Sequence, residues 1–175
     1  MLRRNCNPVE THLGGLYGYA FSLTKNVDDA NDLVQETALK ALGAKNVPGD
    51  STAYRVWLFR ILRNASIDRF RRNRLDLADV EELNLHLADT YWCREEEQIN
   101  GLTVKMSFEK LPDGQREIIA LIDIVGMTYV EVSTVLKIAP GTVKSRLSRA
   151  RNALMTQVME ESSNRFTLKV GQAGK

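Results

Sequence analysis

The run GTVKSRLSRAR, from Gly141 to Arg151, decides the fold. Wound at about 100° per residue, Val143, Leu147, Ala150 and Leu154 fall within one narrow apolar stripe. The opposite side carries Gly141, Thr142, Ser145, Ser148, Arg149 and Asn152, with Lys144 and Arg151 on one flank and Arg146 on the other. Pro140 suits the first helical position, where its missing N–H costs nothing. Upstream, Tyr129, Val132, Val135 and Leu136 predict a short amphipathic helix, which leaves Lys137-Ile138-Ala139 for the turn. A basic helix alone would suit a solvated surface. A short helix, a tight turn and a basic, hydroxyl-rich second helix together predict a helix-turn-helix that can enter the major groove of DNA.

The stretch from Leu111 to Leu154 resembles the C-terminal promoter-binding domain of extracytoplasmic-function (ECF) sigma factors. These are small, dissociable specificity subunits of bacterial RNA polymerase. The resemblance rests on Leu111-Pro112, Gln115-Arg116-Glu117, Gly126, Tyr129, Glu131, Leu136 and Gly141 through Arg151. The chain departs from the pattern at Lys137, where the family usually has Gly. At a positive φ, Lys costs roughly 1 kcal/mol relative to Gly.

The 175 residues suffice for one medium domain or two small ones, and 43% hydrophobic with 26% charged residues is a globular composition. Four Pro and eleven Gly argue against a sheet-rich or low-complexity chain. No apolar run reaches transmembrane length, and no apolar segment follows Arg3 and Arg4 to make a signal peptide. Direct membrane insertion is therefore not expected. Cys6 and Cys93 are far apart without metal-ligand spacing, which fits a reducing cytoplasm and unremarkable thiols. The net charge of +2 hides a pattern. Residues 1–74 hold 12 Lys/Arg against 7 Asp/Glu, residues 75–110 hold 3 against 9, and residues 111–175 hold 9 against 6. Two basic blocks flank an acidic one, as expected of two nucleic-acid-facing domains joined by a linker that avoids DNA or mimics it.

Every periodic segment reads as helix and none sustains period-two alternation, so the fold class is all-α. Residues 9–25 carry Leu13, Leu16, Tyr17, Ala20, Phe21 and Leu23 at helical spacing. Asp28 is a plausible N-cap for a second helix from Asp29 to about Leu42, with Ala30, Leu33, Val34, Thr37 and Ala41 inward. Residues 43–51 read as loop, and Thr52 to about Arg72 as one long helix or a close pair. The expected organisation is a domain over 9–74, an acidic linker over 75–107, a helix-turn-helix domain over 108–158 and a frayed tail over 159–175.

The segment AYRVWLFRILRNASIDRFRR places Trp57, Leu58, Ile61, Leu62 and Ala65 at core spacing. Arg60, Arg63, Asn64, Asp68, Arg69, Arg71 and Arg72 form its polar side. Basic residues interleaved with Tyr54, Trp57, Phe59 and Phe70 suit single-stranded DNA, although Trp57 and Phe70 read better as core than as stacking platforms. DDANDLVQETALKAL followed by WLFRILRNASIDRFRR resembles the N-terminal domain of the same sigma-factor family. The two blocks cover about residues 9–74 and 108–156.

The resemblance implies roles. Asp32, Leu33, Gln35 and Glu36 would bind the RNA polymerase core at the clamp helices of its largest subunit. Asn64, Asp68, Arg71 and Arg72 would melt and hold the −10 element, with residues 43–53 near the captured base. Thr142, Lys144, Ser145, Arg146, Ser148 and Arg149 would read the −35 element, with Arg151 also at phosphates. The linker acids Asp76, Asp79, Glu81, Glu82, Asp89, Glu95, Glu96 and Glu97 would lie where the family's linker threads the polymerase cleft. The implied partners are core polymerase, promoter DNA and an anti-sigma factor, with a monomer when free. No catalytic residue, metal or cofactor is expected. Two other readings are weaker. A dimeric helix-turn-helix regulator gives no reason for the N-terminal block. A metal-dependent nuclease finds no partner for His12 or His86 at ligand spacing and no phosphate-binding Gly loop.

Overall fold

The computed structural model describes residues 9–76 and 95–172. They are helical, with no strand among the described residues. After a 3₁₀ turn at Glu10–His12 come α1 (Leu13–Thr24), α2 (Val27–Leu42) and α3 (Ser51–Asp76). The second unit holds α4 (Glu95–Glu109), α5 (Asp113–Ile119), a π turn (Ala120–Ile124), α6 (Tyr129–Leu136) and α7 (Pro140–Gln172). The acids at 79–89, together with Cys6, His86 and Cys93, lie outside the described residues.

Local chemistry sets the boundaries of the first unit. Lys25, at φ 57°, ends α1 in the left-handed region, with its N–H donating to Phe21 O. The side chain of Asn26, rather than Asp28, caps α2 by accepting from the N–H groups of Asp28 and Asp29. Asp28 and Asp29 then sit in the first turn, where the helix dipole favours acids. Asp50 Oδ2 accepts from Ala53 N at 2.7 Å and opens α3, which runs on as a single helix. Leu16, Tyr19, Ala20, Ala30, Leu33, Leu58, Phe59, Leu62 and Ala65 form the core of this unit. Phe70 departs from the core reading, because its ring is 48% exposed.

Two stretches are more ordered than their composition suggests. Residues 95–107, read as linker, lie within α4 and pack against α7. Thr103 and Ser107 are buried there, so small polar residues make a contact that hydropathy does not mark. Helix α7 runs on through Glu160 to Gln172. Lys110 pairs with Glu161 across from α4.

The two units pack face to face. Helices α1 and α3 lie against α5, the π turn and α6. The Tyr19 hydroxyl donates to Glu117 Oε1 at 2.8 Å, and Arg63 Nε donates to the same oxygen at 2.8 Å. The side chain of Arg116, 2% exposed, donates from Nε to Ser22 O at 2.7 Å, from Nη1 to Leu111 O at 2.5 Å and from Nη2 to Asp113 at 2.7 Å. Arg55 donates to Val125 O at 2.6 Å and approaches Glu131 at 3.6 Å.

Candidate nucleic-acid interface

The helix-turn-helix forms as its sequence predicts. Thr128 and Glu131 make a reciprocal capping box at the start of α6. The Thr128 N–H donates to Glu131 Oε2 at 2.7 Å, and the Glu131 N–H donates to Thr128 Oγ1 at 3.3 Å. Helix α6 ends at Lys137, with φ 57° and ψ 46°. The turn thus keeps the left-handed geometry that Gly usually supplies, and Lys bears the strain. The Lys137 and Ile138 N–H groups both donate to Ser133 O. Ala139 O then accepts from Thr142 and Val143, and Pro140 begins α7.

Val143, Leu147 and Ala150 are buried beneath α7. Lys144, Ser145, Arg146, Ser148 and Arg149 are exposed, and Thr142 is half-buried. Among the described residues, Lys144, Arg146 and Arg149 have no ion-pair partner. Arg151 differs: its guanidinium makes two hydrogen bonds to Asp123, at 2.5 and 3.1 Å. The side-chain hydrogen bond to Asp123 raises its pKa first of all and holds the charge toward the π turn. The pair ties α7 to the π turn while the Arg151 side chain stays 53% exposed.

On the first unit, Asp32 and Gln35 are exposed, and Glu36 is half-buried and paired with Lys40 at 2.7 Å. Leu33 is fully buried and supports α2 from within. Arg69 on α3 reaches Asp29 at 2.7 Å and Asp32 at 3.3 Å, which fixes the acidic edge of α2 against α3. Asn64, Asp68, Arg71 and Arg72 are all exposed on α3. Arg72 Nε donates to Asp68 O one turn back. The Arg69 clamp joins the acidic edge to the basic helix, a link the sequence reading missed.

Residues 8–75 match the model of Sigma-70 region 2, and residues 103–154 match that of Sigma-70 region 4. The chain is 33% identical to the ECF RNA polymerase sigma factor EcfG of Rhodopseudomonas palustris over 158 residues, covering 86% of this chain and 83% of that protein.

The chain belongs to the ECF family of RNA polymerase sigma factors.

Another ECF relative, SigW of Bacillus subtilis, is 29% identical over 165 residues, with 87% of each chain covered. Among solved structures, the sigma factor RpoE in complex with the anti-sigma factor NepR from Bartonella quintana matches with a TM-score of 0.69 and 33% identity. That match covers 86% of this chain and 94% of that one. CnrH in complex with the cytosolic domain of CnrY matches with a TM-score of 0.62 and 29% identity, covering 87% of this chain and 85% of that one. Within this ECF chain, the helix-turn-helix lies inside the region 4 match, and the acidic edge of α2 and the basic face of α3 lie inside the region 2 match.

Proposed function

We propose that this ECF sigma factor binds core RNA polymerase through the acidic edge of α2, holds the separated −10 strand on α3 and reads the −35 element with α7. The observation that carries the reading is the unpaired cationic face of α7 on a helix-turn-helix, joined in one chain to a region 2 unit. Asp32, Gln35 and Glu36 supply the polymerase contact, and Leu33 holds their helix in place. Asn64, Asp68, Arg71 and Arg72 face the −10 strand. Thr142, Ser145 and Arg149 lie toward base edges, while Lys144, Arg146 and Ser148 lie toward the backbone. The acidic stretch over residues 75–107 joins the two units, with its later part in α4.

The mechanism needs no covalent chemistry. Each unit alone binds DNA weakly, and tethering both on polymerase raises the effective concentration of the second contact. Binding energy at two elements is thereby coupled to strand opening. The relatives solved with NepR and with the cytosolic domain of CnrY support an anti-sigma factor as the regulator of this chain and a cytoplasmic location. No helix among the described residues is long and apolar enough to cross a membrane.

Reconstituted transcription tests the reading. Purified protein with bacterial core polymerase on a promoter library should give specific initiation that weakens with Asp32→Ala and Glu36→Ala. Duplex binding that ignores polymerase, with no initiation, would instead identify a stand-alone regulator.

A further inference from the structure

Among the described residues, two that are not glycine hold a positive φ: Lys25 and Lys137, both at 57°. A side chain resists this conformation, and glycine usually occupies it because it has no Cβ to clash. Strain of this kind gathers at functional sites, where the surrounding structure enforces it. Lys25 ends α1 in the first unit. Lys137 lies inside the helix-turn-helix itself, three residues before α7 opens at Pro140. A helix C-terminus favours a cation, but that holds for Lys25 as much as for Lys137. What sets Lys137 apart is its place.

Lys137 is mounted rigidly and faces outward. Its N–H and that of Ile138 converge on Ser133 O. Leu136 before it is buried, and Ile138 after it packs half-buried against the core. Lys137 between them is exposed, and among the described residues it has no ion-pair partner. The run that follows is kept small. Ala139, Pro140 and Gly141 are all exposed, and a Cβ on Gly141 would meet nothing within 4 Å. Glycine inside a helix costs stability relative to alanine, yet no neighbour in the chain requires it here. A backbone bare of side chains is what a second molecule needs in order to approach closely.

The docking geometry of a helix-turn-helix says which molecule approaches. The first helix crosses the DNA backbone, and the N-terminal residues of the second enter the major groove. The turn between them therefore passes over the edge of the groove, where the phosphates lie. We propose that Lys137 is a phosphate anchor, gripping the sugar–phosphate backbone beside the −35 element while the small run 139–141 lets that backbone come close. The proposal rests on the reading of α7 given above. Lysine supplies a compact charge on a flexible stem, which glycine in the same turn cannot. The anchor carries no sequence information. It fixes the register and orientation in which α7 lies in the groove.

The test uses the full chain assembled with core polymerase, on a labelled duplex that carries the −35 element and stops short of −10. Affinity is followed by anisotropy from about 50 to about 200 mM salt. Lys137→Gly should shift the urea midpoint of the free chain upward and yet weaken binding. One lost phosphate contact lowers the salt slope by about 0.9, so the affinity deficit should shrink by about 3.5-fold across that range. Lys137→Arg should keep the parental affinity and slope. Lys25→Gly should also raise the urea midpoint and leave both binding readouts unchanged. Parental affinity and slope in Lys137→Gly overturn the anchor. So does Lys137→Arg binding as weakly as Lys137→Gly, or an equal loss in Lys25→Gly. Arg149→Ala, titrated on original and altered −35 sequences, separates the anchor from the reading beneath it. Lost discrimination there with a parental Lys137→Gly sinks the anchor alone. Unchanged discrimination, with the salt signature present in Lys137→Gly, keeps the anchor and removes Arg149 from base reading. A parent holoenzyme that does not bind the duplex refutes both.

Discussion

Helices α3 and α7 are both rich in arginine, yet α3 commits three of its arginines to partners within the protein, whereas the first turns of α7 leave theirs free. On α3, Arg55, Arg63 and Arg69 are bound to Val125 and Glu131, to Glu117, and to Asp29 and Asp32. On α7, Lys144, Arg146 and Arg149 face solvent without an ion pair among the described residues, while Arg151 pairs at the surface with Asp123. A cation already neutralised inside the protein releases few counterions from DNA, whereas an unpaired one on an exposed face releases its full share. Basic composition therefore does not identify a nucleic-acid face. What identifies it is the absence of an acidic partner brought in from another helix.

The contrast can be broken by exchanging what is measured on each helix. The largest expected effect is on α3. Arg63→Ala should lower unfolding stability by about 1.5–3 kcal/mol, the range for a hydrogen bond to a charged group, and leave duplex affinity at the −35 element nearly unchanged. Urea denaturation beside duplex titration checks this. Equal losses in both would erase the distinction. On α7, Arg149→Ala should do the reverse, costing about 1–3 kcal/mol of promoter discrimination if it reads a base edge, with little change in melting. Competition between wild-type and substituted −35 sequences measures it. Lys144→Ala should weaken all sequences alike and reduce the slope of log affinity against log salt by about 1, which a salt series reads directly.

Two smaller effects sharpen the comparison at its edges. Lys137→Gly relieves the left-handed strain in the turn and should raise stability by about 1 kcal/mol without altering sequence preference. A fall in stability would show that the Lys side chain supports the turn. Burial first, and the nearby Arg55 charge second, lower the pKa of His12. A lowered imidazole pKa means that the unfolded chain binds the proton more readily. Stability should therefore be undiminished above about pH 6.5, the ordinary imidazole value, and decline as pH falls through it toward the folded pKa. His12→Gln should flatten that part of the profile in a melting series.

Much of this was legible before any coordinates. The Val143, Leu147 and Ala150 stripe is buried as its spacing requires, and so are Ala30, Leu33, Thr37 and Ala41 on α2. Such periodicity is a local property that a short window contains in full. The parts missed depend on other distances. Asn26 and Asp28 are both good caps, and only the backbone geometry at the helix entrance chooses Asn26. Helix α4 was hidden by its acids and by small polar contacts at Thr103 and Ser107. The double role of Glu117, as motif residue and as acceptor for Tyr19 and Arg63, joins positions 98 and 54 residues apart. No helical period spans such a distance. The Arg151–Asp123 pair was missed for the same reason, because the two lie 28 residues apart.

The unbroken length of α7 has a mechanical consequence. Its 33 residues make a rod of about 50 Å at roughly 1.5 Å per residue. Its first turns carry the proposed reading head, and its far end extends well beyond it. Such a rod transmits torque. The Lys110–Glu161 pair and the packing of α4 act as its bearing. Any molecule that grips the far end would steer the reading head at a distance, without touching a single base.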